Sequence, residues 1–242
     1  MSQARKWIPN QHGAWAFLIT PVLVGAAVSG PSGWQLLLLI AWLTAYCVNF
    51  FVSLAVKSRR PARYRSQLSA YGLATMIIGI PLAWQHPQLL VLLLAALPAF
   101  AANLVFVMQR NERMWLNDVI GIALAGVVGY ASYLLGPTPT HDSLAVRALM
   151  SVCLYFVGTV IYVKSMIRER HNRRWMRLSY LFHSALVVLA LLAAAPLLTL
   201  VAALLLLRAL AIPRLGWTPK RIGLTEIIFT VAVALAALLG WS

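Results

Sequence analysis

The chain has 242 residues, of which 62% are hydrophobic and only 10% charged. A water-facing surface on a fold of this length needs far more charge, so the composition excludes an ordinary soluble domain and indicates a polytopic membrane protein. The formal net charge of +15 comes from 20 Lys and Arg against 5 Asp and Glu; these cations fall between apolar runs, which speaks for topology control and against nucleic-acid binding.

A helix needs about 20 apolar residues to cross the hydrocarbon core, with a working range of roughly 17 to 25. The first apolar run extends from Ala14 to Ser29 and ends at the turn signal Gly30-Pro-Ser-Gly33. It follows a polar segment, so it reads as a span and not as a cleavable signal peptide. The second runs from Trp34 to Val56 and stops at the basic stretch Lys57-Ser-Arg-Arg-Pro-Ala-Arg-Tyr-Arg65. Leu68 to Trp84 is the third, with a kink expected at Pro81, and Gln88 to Met108 the fourth, with a bend expected at Pro98. A fifth covers Asn117 to Leu135, and a sixth runs from Leu144 to Val163.

The sixth run ends at Lys164-Ser-Met-Ile-Arg-Glu-Arg-His-Asn-Arg-Arg-Trp-Met-Arg177, where six cations and a single acid follow one another. Such a stretch cannot lie in hydrocarbon and must be an aqueous loop. Leu178 to Ala194 and Pro196 to Ile212 then form a tight helical pair, and Ile222 to Trp241 completes the chain. The fold class is therefore all-α: one transmembrane bundle of about nine helices spanning residues 1–242.

Counting cations by side fixes the expected orientation. With a cytoplasmic N-terminus, Arg5, Lys6, both basic stretches, Arg110, Arg113, Arg208, Arg214, Lys220 and Arg221 all fall inside, and only Arg147 falls outside. The chain is thus expected with its N-terminus in and its C-terminus out.

Polar residues inside spans are costly and therefore informative. Asn49, Ser53, Asn103, Asp118, Tyr162, Lys164, His183 and Glu226 all fall toward the inner ends of their runs, with His12 just before the first. Residues near a helix end commonly snorkel or pair locally. His183, Glu226, Asn49 and Asn103 together suggest instead a shared cavity open to the cytoplasm. His86, His141 and His171 fall in loops, and Cys47 and Cys153 lie within apolar runs as small buried residues. No HxxxH, CxxC, phosphate-loop or Ser–His–Asp pattern occurs, so no metal, cofactor or catalytic residue is assigned.

Large inner loops after the second and sixth of nine spans resemble the UbiA superfamily of intramembrane prenyltransferases. That resemblance implies acidic motifs at both places, holding Mg²⁺ against a pyrophosphate. Here they read Asn49-Phe-Phe-Val-Ser53-Leu-Ala-Val-Lys57 and Tyr162-Val-Lys164-Ser-Met-Ile-Arg168-Glu-Arg170. The Asn, Tyr and Lys match, whereas Ser53, Lys57, Ser165 and Arg168 stand where carboxylates belong. Octahedral Mg²⁺ needs one or two carboxylates, and cations in their place repel it. Pro9-Asn-Gln-His-Gly-Ala-Trp15 and Gly223-Leu-Thr-Glu226 are similar to the YwiC-like family of bacterial membrane proteins.

The expected function is binding of an anionic lipid or isoprenoid-type headgroup in a cytoplasm-facing intramembrane cavity. Its candidate ligands are Asn49, Ser53, Lys57, Tyr162, Lys164, Arg168, His12, His183 and Glu226. A transporter or accessory subunit of a membrane complex, and a prenyltransferase with a degenerate metal site, are the alternatives. The expected partners are membrane lipid and such an anionic ligand, with no nucleic acid.

Overall fold

The computed structural model describes residues 7–9, 12–111 and 114–241. Arg5, Lys6, Asn10, Gln11, Glu112 and Arg113 lie outside the described residues, as do the side chains of His12 and Arg214.

Among the described residues the chain is helical throughout, without strands. The α-helices are α1 (His12–Ser29), α2 (Gly33–Ser58), α3 (Arg65–Gln85), α4 (Gln88–Met108) and α5 (Trp115–Leu134), followed by α6 (Asp142–Ile167), α7 (Arg173–Leu192), α8 (Pro196–Ala211) and α9 (Pro219–Leu239). Short 3-10 turns cover Pro61–Tyr64 and Ile212–Leu215. Seven helices are long and apolar enough to cross a membrane, while α1 and α8 are shorter apolar helices. At about 1.5 Å per residue, the 16 residues of α8 reach roughly 24 Å, short of a hydrocarbon core of about 30 Å. Outward-facing residues such as Leu73, Ile77, Leu94, Leu192, Leu207 and Ile228 are exposed, as lipid-facing side chains are in a multi-pass membrane protein.

Local chemistry sets the helix ends. Ser32 caps α2 in a capping box with Gln35, Asn172 caps α7, and Thr218 caps α9 ahead of Pro219. Pro196 opens α8, where its missing N–H is no loss. Helices α3 and α4 run unbroken through Pro81 and Pro98.

The chain packs as two compact units, one through Thr140 and the other from His141 onward. In the first, α1 lies tightly against α5: a Cβ on Gly25 would stand 2.1 Å from the Gly129 carbonyl oxygen. Small residues permit this backbone approach, and the Ser132 hydroxyl donates to the Val22 carbonyl across it. Gln35 Nε2 donates to Ser29 Oγ and to the Gly30 and Ser132 carbonyls, joining α1, α2 and α5 at one end.

The second unit is a four-helix bundle in which each helix packs on the next and α9 returns to α6. Its successive connections are short, which makes neighbours antiparallel. Helix α6 is the most buried, through Ala145, Ala148, Val152, Tyr155, Phe156, Ile161 and Tyr162.

Candidate functional site

The second unit encloses a charged centre that begins with two adjacent apolar runs of opposite polarity. Helix α8 carries Arg208 after Leu204-Leu-Leu-Leu207, and α9 carries Glu226 before Ile227-Ile228. The connection through Ile212–Leu215 and Gly216, whose φ of +61° suits glycine, folds α9 back along α8. Arg208 Nη1 then donates to both carboxylate oxygens of Glu226 at 2.5 Å. Arg208 is only 4% exposed.

Arg208, counted in the sequence only among the inner-side cations, is thus a buried residue with a carboxylate partner. The charge count treats every Arg alike, but an acid one hairpin away makes burial possible. Removing one partner of such a pair costs about 3–5 kcal/mol, because an uncompensated charge stays behind.

Two further helices, α6 and α7, complete the shell. From α6, Thr159 Oγ1 donates to Glu226 Oε2 at 3.0 Å, and the Tyr155 hydroxyl donates to the same oxygen at 3.3 Å. The Tyr155 hydroxyl also bonds the Glu226 carbonyl and Thr230 Oγ1. From α7, His183 Nδ1 lies 2.7 Å from the Ser179 carbonyl. A carbonyl only accepts, so Nδ1 carries the hydrogen and Nε2 offers its lone pair. Arg208 Nη2 donates to that nitrogen at 3.1 Å.

The guanidinium carbon lies 4.1 Å from the centroid of the Tyr162 ring and 5.1 Å from that of Phe229, within cation–π range. Gly158 keeps room beside His183: a Cβ there would stand 3.4 Å from His183 Nε2 and 3.0 Å from Phe182. Three buried polar atoms in this cluster have no hydrogen-bond partner: Arg208 Nε, the Tyr162 hydroxyl and Ser179 Oγ.

Three sequence candidates, Tyr162, His183 and Glu226, thus meet around a residue that was not among them. Tyr162 and His183 are buried there. Helix α7 starts at Arg173, ahead of the apolar run beginning at Leu178, so His183 lies midway along the helix. The other candidates on this unit sit toward the loop. Lys164 is buried with its Nζ over the Trp175 ring, and Arg168 is exposed at the C-cap of α6. Arg168, Glu169, His171, Asn172, Arg173 and Arg174 line an open depression on the loop between α6 and α7. Glu169 accepts there from Asn172 Nδ2.

Asn49, Ser53 and Lys57 belong to the first unit, half-buried along one face of α2. The Ser53 hydroxyl donates to the Asn49 carbonyl one turn back. Asn103 Nδ2 donates to Asn117 Oδ1 at 2.9 Å in the same unit. His12 opens α1, its side chain outside the described part. His86, expected in a solvated loop, instead packs edge-on against Trp34 at 4.8 Å between centroids, and its Nε2 is buried. Cys47 and Cys153 are not joined in a disulfide. Among the described residues no group of three or more His, Cys, Asp or Glu gathers where it could hold a metal.

Sequence reasoning missed Arg208, Tyr155, Thr159 and Thr230. The signal for the first was an Arg and a Glu, each inside an apolar run, on either side of one turn. For Tyr155 and Thr159 it was their spacing with Tyr162, which puts three hydroxyls on one face of α6.

Comparison with known proteins bears on the whole chain. A family model described as YwiC-like protein matches residues 8–133, which cover α1 to α5 but not the charged centre. The protein "Uncharacterized protein YwiC" of Bacillus subtilis (strain 168) is 35% identical over 221 residues, 91% of this chain and 92% of the relative. An "Uncharacterized protein" of Haemophilus influenzae is 29% identical over 92% of this chain and 93% of its own. No solved structure matches the chain.

Proposed function

The chain belongs to the YwiC-like family, and for this multi-pass member of it we propose that the C-terminal bundle binds an anionic headgroup at Arg208. The observation that supports this reading is the unpartnered Nε of a guanidinium buried in the bundle, beside an equally unpartnered Tyr162 hydroxyl. A guanidinium binds oxyanions through two parallel N–H donors, and Nε with Nη2 forms one such edge. Ionisable groups within a span are kept where they handle a charged or polar ligand.

In this reading the N-terminus and the basic loops are cytoplasmic, in a bacterial inner membrane, and the helix order is UbiA-like. Fixed cations replace the metal-bridged acids of that superfamily. Lys164 and Arg168, further along α6 toward the basic loop, guide the headgroup inward. An isoprenoid-type tail would lie among the apolar faces.

Thermal stability of the purified protein tests the reading with three probes: farnesyl phosphate, inorganic phosphate and farnesol. Ligand at a hundredfold excess over Kd stabilises by about 2.7 kcal/mol, or roughly 5–10 °C in a chain of this size. Farnesyl phosphate is expected to raise the Tm by that order and farnesol to leave it unchanged. An equal shift with inorganic phosphate would make a free anion the ligand. The double variant Arg208→Met/Glu226→Met, which removes both charges together, is expected to fold and show no shift. Stabilisation that survives in it would place the ligand elsewhere.

A further inference from the structure

Resting on that reading, we propose that an anion entering at Arg208 is bound together with one proton, which His183 takes up on Nε2. The starting point is charge. Arg208 and Glu226 sum to zero and His183 adds none, since its Nδ1–H is given to the Ser179 carbonyl and its Nε2 accepts from Arg208. An arriving anion makes this buried centre negative by at least one charge. Uncompensated charge in such surroundings is far more costly than in water. A proton from the aqueous side restores the balance.

Geometry selects the group that receives it. The carboxylate oxygens of Glu226 are already occupied by donors: Arg208 Nη1 on both, with Thr159 and Tyr155 on Oε2. His183 has one side-chain partner, Arg208 Nη2 at 3.1 Å. That donor lies on the same edge of the guanidinium as the unpartnered Nε. An oxyanion taking both N–H groups of the edge removes Nη2 from His183, and the freed lone pair accepts the proton. The imidazolium then donates Nε2–H to the anion. No covalent bond changes beyond that single N–H.

The groups facing His183 are consistent with this exchange. Helix α8 presents Arg208, and α6 presents the Tyr162 ring at 6.4 Å between centroids, with its hydroxyl unpartnered. Glu226 of α9 lies behind Arg208, and Phe182 packs from α7 itself. While the site is empty, Arg208 Nη2–H occupies the lone pair of His183 Nε2; an incoming anion frees it.

Titration calorimetry at pH 8, in buffers of different ionisation enthalpy, counts protons taken up per farnesyl phosphate bound. Wild-type protein is expected to take up about one. His183→Gln, which keeps a hydrogen-bonding group near the Nε2 position but does not titrate, is expected to take up none and to bind about tenfold or more weakly. Because the phosphate can itself gain a proton, equal uptake by both proteins would overturn the assignment to His183. Binding without uptake by the wild type would overturn the coupling while leaving anion binding intact. Absence of binding to either protein would overturn the anion reading and this inference with it. Nitrogen-15 spectra of histidine-labelled wild-type protein give a readout free of any variant. One imidazole should pass to the doubly protonated form on adding the probe, and five unchanged imidazoles would refute the proposal.

Discussion

Arg208→Met isolates the energetic weight of the buried pair. The substitution leaves a flexible apolar chain of fair volume but strips Glu226 of its counter-charge. The carboxylate keeps Thr159 and Tyr155 as donors, and hydrogen bonds between membrane helices average only about 0.6 kcal/mol. They cannot replace an ion pair whose breakage costs about 3–5 kcal/mol. For a chain of this size each kcal/mol moves the midpoint by about 2–4 °C, so a Tm fall of roughly 10 °C is expected.

Arg208→Met/Glu226→Met, by contrast, removes both charges, and replacement of a buried pair by apolar groups is commonly neutral or stabilising. Its Tm is expected within about 3 °C of wild type, the equivalent of roughly 1 kcal/mol. The double-mutant cycle should therefore give a coupling energy of about 3 kcal/mol or more, near the top of the range for residues in contact. Circular-dichroism melts of the detergent-purified proteins measure all four members of the cycle. Additive losses, with the double variant falling below either single one, would refute the pairing and leave Arg208 among the topology cations.

Glycine 25 offers a separate test of the first unit: Gly25→Ala puts a Cβ 2.1 Å from a backbone oxygen, and overpacking against an unyielding backbone should cost about 2 kcal/mol or more in a melt. Cysteines placed at Arg60 or Arg174, in a background lacking Cys47 and Cys153, should be shielded from impermeant thiol reagents in intact cells. Cysteines at Ser32 or Thr138 should be labelled, and the reverse pattern would invert the orientation. Lys164→Met, at a buried cation beside Trp175, should weaken farnesyl phosphate binding about tenfold, whereas Arg174→Met, at an exposed one, should change it little; similar small effects would reduce both to topology signals.

Hydropathy made most of the helices legible. The fourth run and helix α4 share the bounds Gln88 and Met108, because Pro87 and the polar Gln109-Arg110 close both sides. Helix α7 starts five residues before its apolar run (178 − 173) because Arg173, Arg174 and Arg177 form an exposed basic first turn. A scale of transfer energies discards such residues, although a helix accepts them readily at a membrane surface. The break between α7 and α8 was visible in Pro196, and Ala194 at φ +52° makes it. The charged centre was only half legible. Polarity within a span singles out His183 and Glu226 from the sequence alone. It cannot say that Arg208 faces Glu226, since that depends on how α8 and α9 pair after their turn. Nor can it separate a cation that holds topology from one that holds a carboxylate. Tyr155 and Thr159 went unread because a hydroxyl in an apolar run usually bonds its own helix, as Thr44, Ser53 and Thr199 do here.

A structure of the protein in lipid nanodiscs with farnesyl phosphate bound tests the central claim most directly. The account expects the phosphate within hydrogen-bond reach of Arg208 Nε and the Tyr162 hydroxyl, with His183 Nε2 turned from Arg208 to the headgroup. A phosphate seated in the depression between Arg168 and Arg174, with the Arg208–His183 contact still closed at 3.1 Å, would contradict it.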